Sequence, residues 1–117
     1  MIDDVTTQLR RGVVEYCVLG LLAAEPMYGW QLASALTERN LIASIGTLYP
    51  LLGRLRDRDL IVAFEQQQDS GSEATGGPTR KYYRLTPLGE QHLDHFRSQW
   101  GPFTASVTEI ITHGSTP

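Results

Sequence analysis

The chain has one cysteine, no apolar run of membrane-spanning length and no excess of positive charge, and each shortage closes off a class of protein. A single thiol, Cys17, forms no intrachain disulfide, so nothing calls for an oxidising compartment. No stretch approaches the roughly 20 apolar residues of a membrane helix. Met1-Ile2-Asp3-Asp4 is acidic where a secretory leader would be basic, which predicts a cytoplasmic protein without membrane contact. There is no phosphate-cradling glycine loop, no nucleophile motif with its base and no constellation of histidine with carboxylate, so neither catalysis nor a cofactor is expected. His92 and His95 stand three apart without a cysteine or a second ligand pair, which is too little for a metal site.

What is there fits one compact unit. With 117 residues, 41% of them apolar, the chain can build one modest core, and a core of that size gains from dimerisation. Val13, Val14, Cys17, Val18, Leu21 and Leu22 repeat at three and four residues and predict a core helix, closed by Glu25-Pro26. A second helix runs from Tyr28 to about Asn40, with Leu32, Ala33 and Leu36 inward and Asn40 suited to a left-handed C-terminal residue. A third lies between Ser44 and Arg58. Its buried stripe is Leu48, Leu51, Leu52 and Leu55, which turns Gly46, Thr47, Tyr49, Pro50, Gly53, Arg54 and Asp57 outward. Two starts are open: with Ser44 as N-cap, Pro50 sits deep and costs a backbone hydrogen bond, whereas with Thr47 it falls in the first turn.

Ile61 to Gln67 alternates as a strand, and Arg80 to Leu85 returns as its partner. Between them the loop is rich in Gly, Ser and Thr, with Gly76-Gly77-Pro78 as the turn. Period two puts Tyr83 inward with Leu85 and Tyr82 outward with Arg80 and Arg84. Thr86-Pro87 opens the last helix as N-cap and first-turn proline. Phe96, Trp100, Phe103, Val107 and Ile110 then step by four, three, four and three, a heptad seam that needs a partner. Gly101-Pro102 should kink or break that helix. The fold class is α+β, mostly α: a winged helix-turn-helix over residues 1–86 with an added C-terminal dimerisation helix over 87–117.

Formal net charge is −3, low for a nucleic-acid binder, but its distribution matters more than its sum. From Ala74 to Gly89 there is no acid, while Arg80, Lys81 and Arg84 fall within five positions. A leucine-rich helix followed by a basic ribbon is the layout with which small domains grip duplex DNA. Candidate DNA contacts are Thr47, Tyr49, Arg54, Gly77, Arg80, Lys81 and Tyr82, with Arg10 and Arg11 at the flank; Arg56 and Arg58 are expected in weak pairs with neighbouring acids. Against this stands a winged helix that serves protein contacts or ligand sensing without gripping DNA, favoured by the acidic total. Cys17 should be an inert small hydrophobe, and Trp30 a packing residue or one wall of an aromatic slot.

The residues resemble the PadR-type transcriptional regulators, in particular the short subclass with one C-terminal helix. The segments that carry this are Leu9-Arg10-Arg11-Gly12, Glu15-Tyr16-Cys17-Val18-Leu19-Gly20-Leu21-Leu22, Pro26-Met27-Tyr28-Gly29, Gly46-Thr47-Leu48-Tyr49-Pro50-Leu51-Leu52 and Arg80-Lys81-Tyr82-Tyr83-Arg84-Leu85-Thr86-Pro87-Leu88-Gly89. The resemblance implies a homodimer on palindromic double-stranded DNA, repression as the usual outcome, and release by a small molecule or stress signal. It assigns DNA contact to Tyr49, Arg80 and Lys81. It also implies an interface pocket for a small aromatic or apolar effector beside Trp100, where Gly101-Pro102 departs from the family pattern.

Overall fold

A computed structural model describes residues 2–67 and 79–113. Eight elements follow one another: α1 (Ile2–Arg10), α2 (Val13–Ala24), β1 (Met27–Tyr28), α3 (Gly29–Glu38), α4 (Ile45–Asp57), β2 (Ile61–Gln67), β3 (Thr79–Leu85) and α5 (Pro87–Thr112). The expected winged helix-turn-helix with a C-terminal helix is present, with two additions. Leu9 and Arg10 belong to a separate first helix, turned off by Gly12 at φ 84°. Met27 and Tyr28 add a third strand, so the sheet has the order β1-β3-β2, antiparallel throughout, where the sequence predicts a two-stranded ribbon. Two residues between a proline turn and a helix are too short a run for alternation to register.

The core lies between α2, α3, α4 and the inner face of the sheet. Val18, Leu19, Leu32, Leu48, Leu55 and Ile61 are sealed from solvent. The inward face of α2 is rotated from the expected one: Val14, Val18, Leu19 and Leu22 are buried, whereas Val13, Cys17 and Leu21 are half-buried. Leu19 belongs to an almost wholly apolar segment whose periodicity cannot say which side faces in. Burial pushes the Cys17 thiol above its ordinary range, which suits an unreactive hydrophobe.

Both helices of the helix-turn-helix end alike. Asn40 adopts φ 57°, Leu41 N–H donates to Leu36 carbonyl at 2.9 Å and Asn40 N–H to Thr37 at 3.0 Å. After α4, Asp59 takes φ 64° while Leu60 and Asp59 bond back to Leu55 and Arg56 at 3.0 and 2.9 Å. These are paired Schellman closures with Asn and Asp in the position glycine usually holds. The second closure is wired to α5. Thr86 Oγ1 accepts from Gly89 N–H at 2.9 Å and donates to the Asp59 carbonyl at 2.7 Å, and Thr86 N–H donates to Leu60 carbonyl at 3.1 Å. Gly89 packs so tightly that a Cβ there would collide with the Leu60 carbonyl. The direction of α5 is therefore fixed relative to the end of α4.

Of the two proposed starts for α4 the chain uses Ser44, and Pro50 lies inside the helix. Nor does Pro102 end α5, which continues for 26 residues, about 39 Å at 1.5 Å per residue. Only the first part of α5 packs on its own chain: Gly89 and Leu93 are buried, and beyond Phe96 every described side chain except Thr104 is exposed. The molecule is accordingly elongated, 68 × 31 × 23 Å.

Candidate nucleic-acid interface

Helix α4 presents two different outer faces. Thr47 and Arg54, seven residues apart, look toward α1 and α2, where Leu51 forms the floor of a cleft. Tyr49 is half-exposed on the other flank, its ring against the first residue of α3: a Cβ on Gly29 would stand 2.7 Å from the Tyr49 hydroxyl. The absence of a side chain at Gly29 gives room to the tyrosine that the resemblance singles out. Tyr49 also lies near Tyr83. Burial raises the Tyr83 phenol above its usual range, helped by the Tyr49 phenol and opposed by the Arg56 guanidinium.

Arg54 is not a free cation. Its Nε lies 3.4 Å from Glu15 Oε2, while Arg58 Nη1 donates to Glu15 Oε1 at 3.0 Å. One carboxylate on α2 therefore holds two guanidiniums on and just after α4. Arg58 pairs with this distant acid rather than with Asp57 or Asp59, and Arg56 has no ion pair among the described residues. Nothing in a single sequence links Glu15 to a residue 39 positions later. Arg10 is likewise committed, donating from Nε to the Asn40 carbonyl at 3.1 Å, where it ties α1 to the end of α3.

On the ribbon, Arg80 stands opposite Gln66, Lys81 opposite Glu65 and Tyr82 opposite Phe64. Alternation sends Arg80, Tyr82 and Arg84 to one face and Lys81 with the buried Tyr83 to the other. Tyr83 packs inward as predicted. Tyr82 does turn outward, but it is half-buried in a cluster the sequence does not announce. Its ring meets Tyr28 edge-on at 5.4 Å and stacks on Phe64 at 5.8 Å. The Arg80 guanidinium sits 4.2 Å from the Tyr28 ring centroid, a cation–π contact that holds its direction. β1 is the missing signal: its pairing of Tyr28 with Tyr82 builds the cluster. Gly77 and the turn around it lie outside the described residues.

On α5, Phe96 stacks on Tyr16 of α2 at 4.1 Å with planes 5° apart, and Trp100 leans on Phe96 at 5.3 Å. Phe96 is thus an intrachain contact first. Trp100, Phe103, Val107 and Ile110 remain exposed at 41, 61, 38 and 74%. Trp30 is 63% exposed and makes no ring stack with Trp100. No helix of the described residues is long and apolar enough to cross a membrane.

Residues 18–95 match the model of the transcriptional regulator PadR-like family. The chain is similar to a PadR-like transcriptional regulator from Bacillus cereus, at 31% identity over 89% of this chain and 96% of that one, with a TM-score of 0.75. It is similar to a PadR-like transcription factor from Bacteroides fragilis at 40% identity, with 92% and 98% covered and a TM-score of 0.69. A PadR family transcriptional regulator from Eggerthella lenta is 30% identical, with 94% and 91% covered and a TM-score of 0.76. With a small three-stranded sheet, a helix-turn-helix and a C-terminal helix, and with this match over residues 18–95, the protein belongs to the PadR-like family of transcriptional regulators, DNA-binding proteins rather than enzymes.

Proposed function

We propose that the protein is a cytoplasmic homodimeric repressor that sits on a palindromic operator through residues 1–86, dimerises through residues 87–117 and responds to a small-molecule or stress signal. The observation that carries the dimer is the exposed row Trp100, Phe103, Val107 and Ile110 on the outer half of α5, where every described side chain but Thr104 is exposed. Apolar burial at roughly 25 cal/mol per Å2 favours covering such a row, and a second copy presents the same row antiparallel to it. Trp100 at the edge of that seam leaves room for a flat aromatic or apolar effector. Pairing of two α5 helices also sets the distance between two α4 helices, because Thr86 and Gly89 fix α5 to the end of α4.

In this reading Tyr49 and Thr47 approach base edges from α4, Arg54 reaches the duplex when it leaves Glu15, and Arg80, Lys81 and Tyr82 carry the wing along the phosphates. Gly77 belongs to the same set of proposed contacts. A dimer lying over a promoter excludes polymerase, which makes repression the natural consequence. The test is fluorescence anisotropy with duplex DNA from upstream of the protein's own gene beside a scrambled duplex, at low and moderate salt. Arg80→Ala and Lys81→Ala are expected to weaken binding to both duplexes, each lowering the salt slope by about one, whereas Tyr49→Ala removes the preference between them. A dimer that binds neither duplex at low salt would instead support a module for protein contacts.

A further inference from the structure

Between α1, α2, the turn after α3 and α4 lies an open cleft of about 650 Å3, within the range of small-molecule sites. Its floor is apolar: Val14, Ile42 and Leu51 are all at most 6% exposed, and Leu41 adds a half-buried wall. Its rim is charged and unbalanced. Among the described residues, Arg10, Arg11 and Arg54 line it against a single acid, Glu15. Glu15 accepts its shorter hydrogen bond, 3.0 Å, from Arg58 and only a 3.4 Å contact from Arg54. Arg11 has no acidic partner among the described residues. An apolar floor under two under-satisfied guanidiniums is chemically incomplete: it fits a molecule with a hydrocarbon body and one carboxylate, the group a guanidinium fork accepts in bidentate fashion.

We infer that this cleft binds a small amphipathic carboxylate, its tail on Ile42 and Leu51 and its head between Arg11 and Arg54, and that its occupation opposes DNA binding. The coupling follows from Arg54. A guanidinium taken up by a ligand on the cleft side of α4 is withdrawn from the duplex, and by linkage DNA must weaken the ligand to the same degree. This site is distinct from the aromatic seam at Trp100, since no residue of α5 lines it. The binding step stands without any DNA; the coupling step rests on the DNA contact proposed for Arg54.

The probe is octanoate, followed by methyl NMR and calorimetry on the full chain without DNA. Saturable binding is expected, with shifts concentrated at Val14, Ile42 and Leu51. 1-Octanol, which has the tail without the charge, and acetate, which has the charge without the tail, should each bind at least about tenfold more weakly, the scale of one charge-assisted contact. Arg11→Gln should cost octanoate a similar factor with an unchanged thermal melt, since Arg11 is exposed. Equal binding of octanol, methyl shifts confined to Val107 and Ile110 of the α5 row, or no saturation by about 10 mM, weaker than ordinary small-ligand affinity, would each overturn the site. Saturating octanoate is then expected to lower affinity for the upstream duplex about fivefold, within the usual range of allosteric coupling. A filled cleft with unchanged DNA affinity overturns the coupling alone; absence of DNA binding without octanoate overturns the Arg54 reading and leaves the calorimetric result standing.

Discussion

Helices α4 and α5 each carry a proline well inside, and they accommodate it by different means. In α4 the imide at Pro50 cannot bond to the Gly46 carbonyl, yet Leu48, Leu51, Leu52 and Leu55 are all at most 5% exposed. Four buried leucines contribute roughly 2 kcal/mol each, more than the about 3 kcal/mol that an interior proline costs. In α5, Pro102 leaves the Ser98 carbonyl without its helical donor, and the side chains around it are exposed. The nearest hydroxyl does not repair this: Thr104 Oγ1 donates to the Trp100 and Gly101 carbonyls at 2.9 and 3.1 Å, worth about 1 kcal/mol, and not to that of Ser98. The first proline is stabilised by the chain's own core; the second is the physical reason to expect a partner.

The sharpest way to break this comparison is to remove one ring or one leucine from each helix. Leu52→Ala should cost about 3 kcal/mol of folding stability, because it empties a closed site at the centre of the core. Phe103→Asp should leave the fold of residues 13–67 intact and shift the dimer to monomer. Denaturant melts read the first and analytical ultracentrifugation the second. If Phe103→Asp unfolds the chain as Leu52→Ala does, α5 is part of the monomer's core and the distinction between the two helices fails.

Two glycines sharpen it on the same helix. Gly89→Ala drives a methyl into the Leu60 carbonyl, backbone against backbone, and should destabilise by about 2 kcal/mol, as overpacking does. Gly101→Ala meets nothing within 4 Å and should stabilise α5 by up to about 1 kcal/mol through helix propensity. Opposite signs in thermal melts are the expected result. A destabilising Gly101→Ala would mean that another chain approaches the backbone there, which would move the dimer seam closer to Pro102.

The same contrast explains what was legible in the residues. Asn40 as a left-handed closure, Tyr83 inward and Thr86 as an N-cap all follow from local rules, because a short piece of backbone decides them. The apolar stripe of α4 was legible for the same reason. What stayed open or escaped depends on parts far apart: the choice of Ser44 over Thr47 as the start of α4, the continuation through Pro102, the capture of Arg54 by Glu15 and the packing of Tyr82 between Tyr28 and Phe64. The start of α4 is the clearest case. A local rule favours Thr47 before Pro50, and the gain from seating Leu48 in the core overrides it. The proposed site residues divide along this line, since the types at 47, 49, 80 and 81 suggest the proposed DNA face while their partners decide which of them are available.

The smallest effect separates the α4 side of the core from α5 by pH. Tyr83 is packed near Tyr49 and Arg56, and burial first, then the Tyr49 phenol, raises its pKa in the folded state, against the opposing Arg56 charge. A raised phenol pKa means that the folded protein holds its proton more firmly than the unfolded chain. The associated stability is fully present below the unfolded value of about 10 and is lost as pH rises through the higher folded value. Cys17, raised by burial as well, contributes with the same sign from a lower starting pH, near 9. Tyr83→Phe should therefore flatten the decline in stability above pH 10 while leaving the portion due to Cys17, and Cys17→Ala should do the reverse. Urea melts between pH 8 and 11 test this, and the proposed dimerisation through α5, which has neither group in its row, should keep its affinity below the point where the core begins to open. A dimer constant that falls in step with Tyr83 ionisation would show that the seam and the core are one cooperative unit.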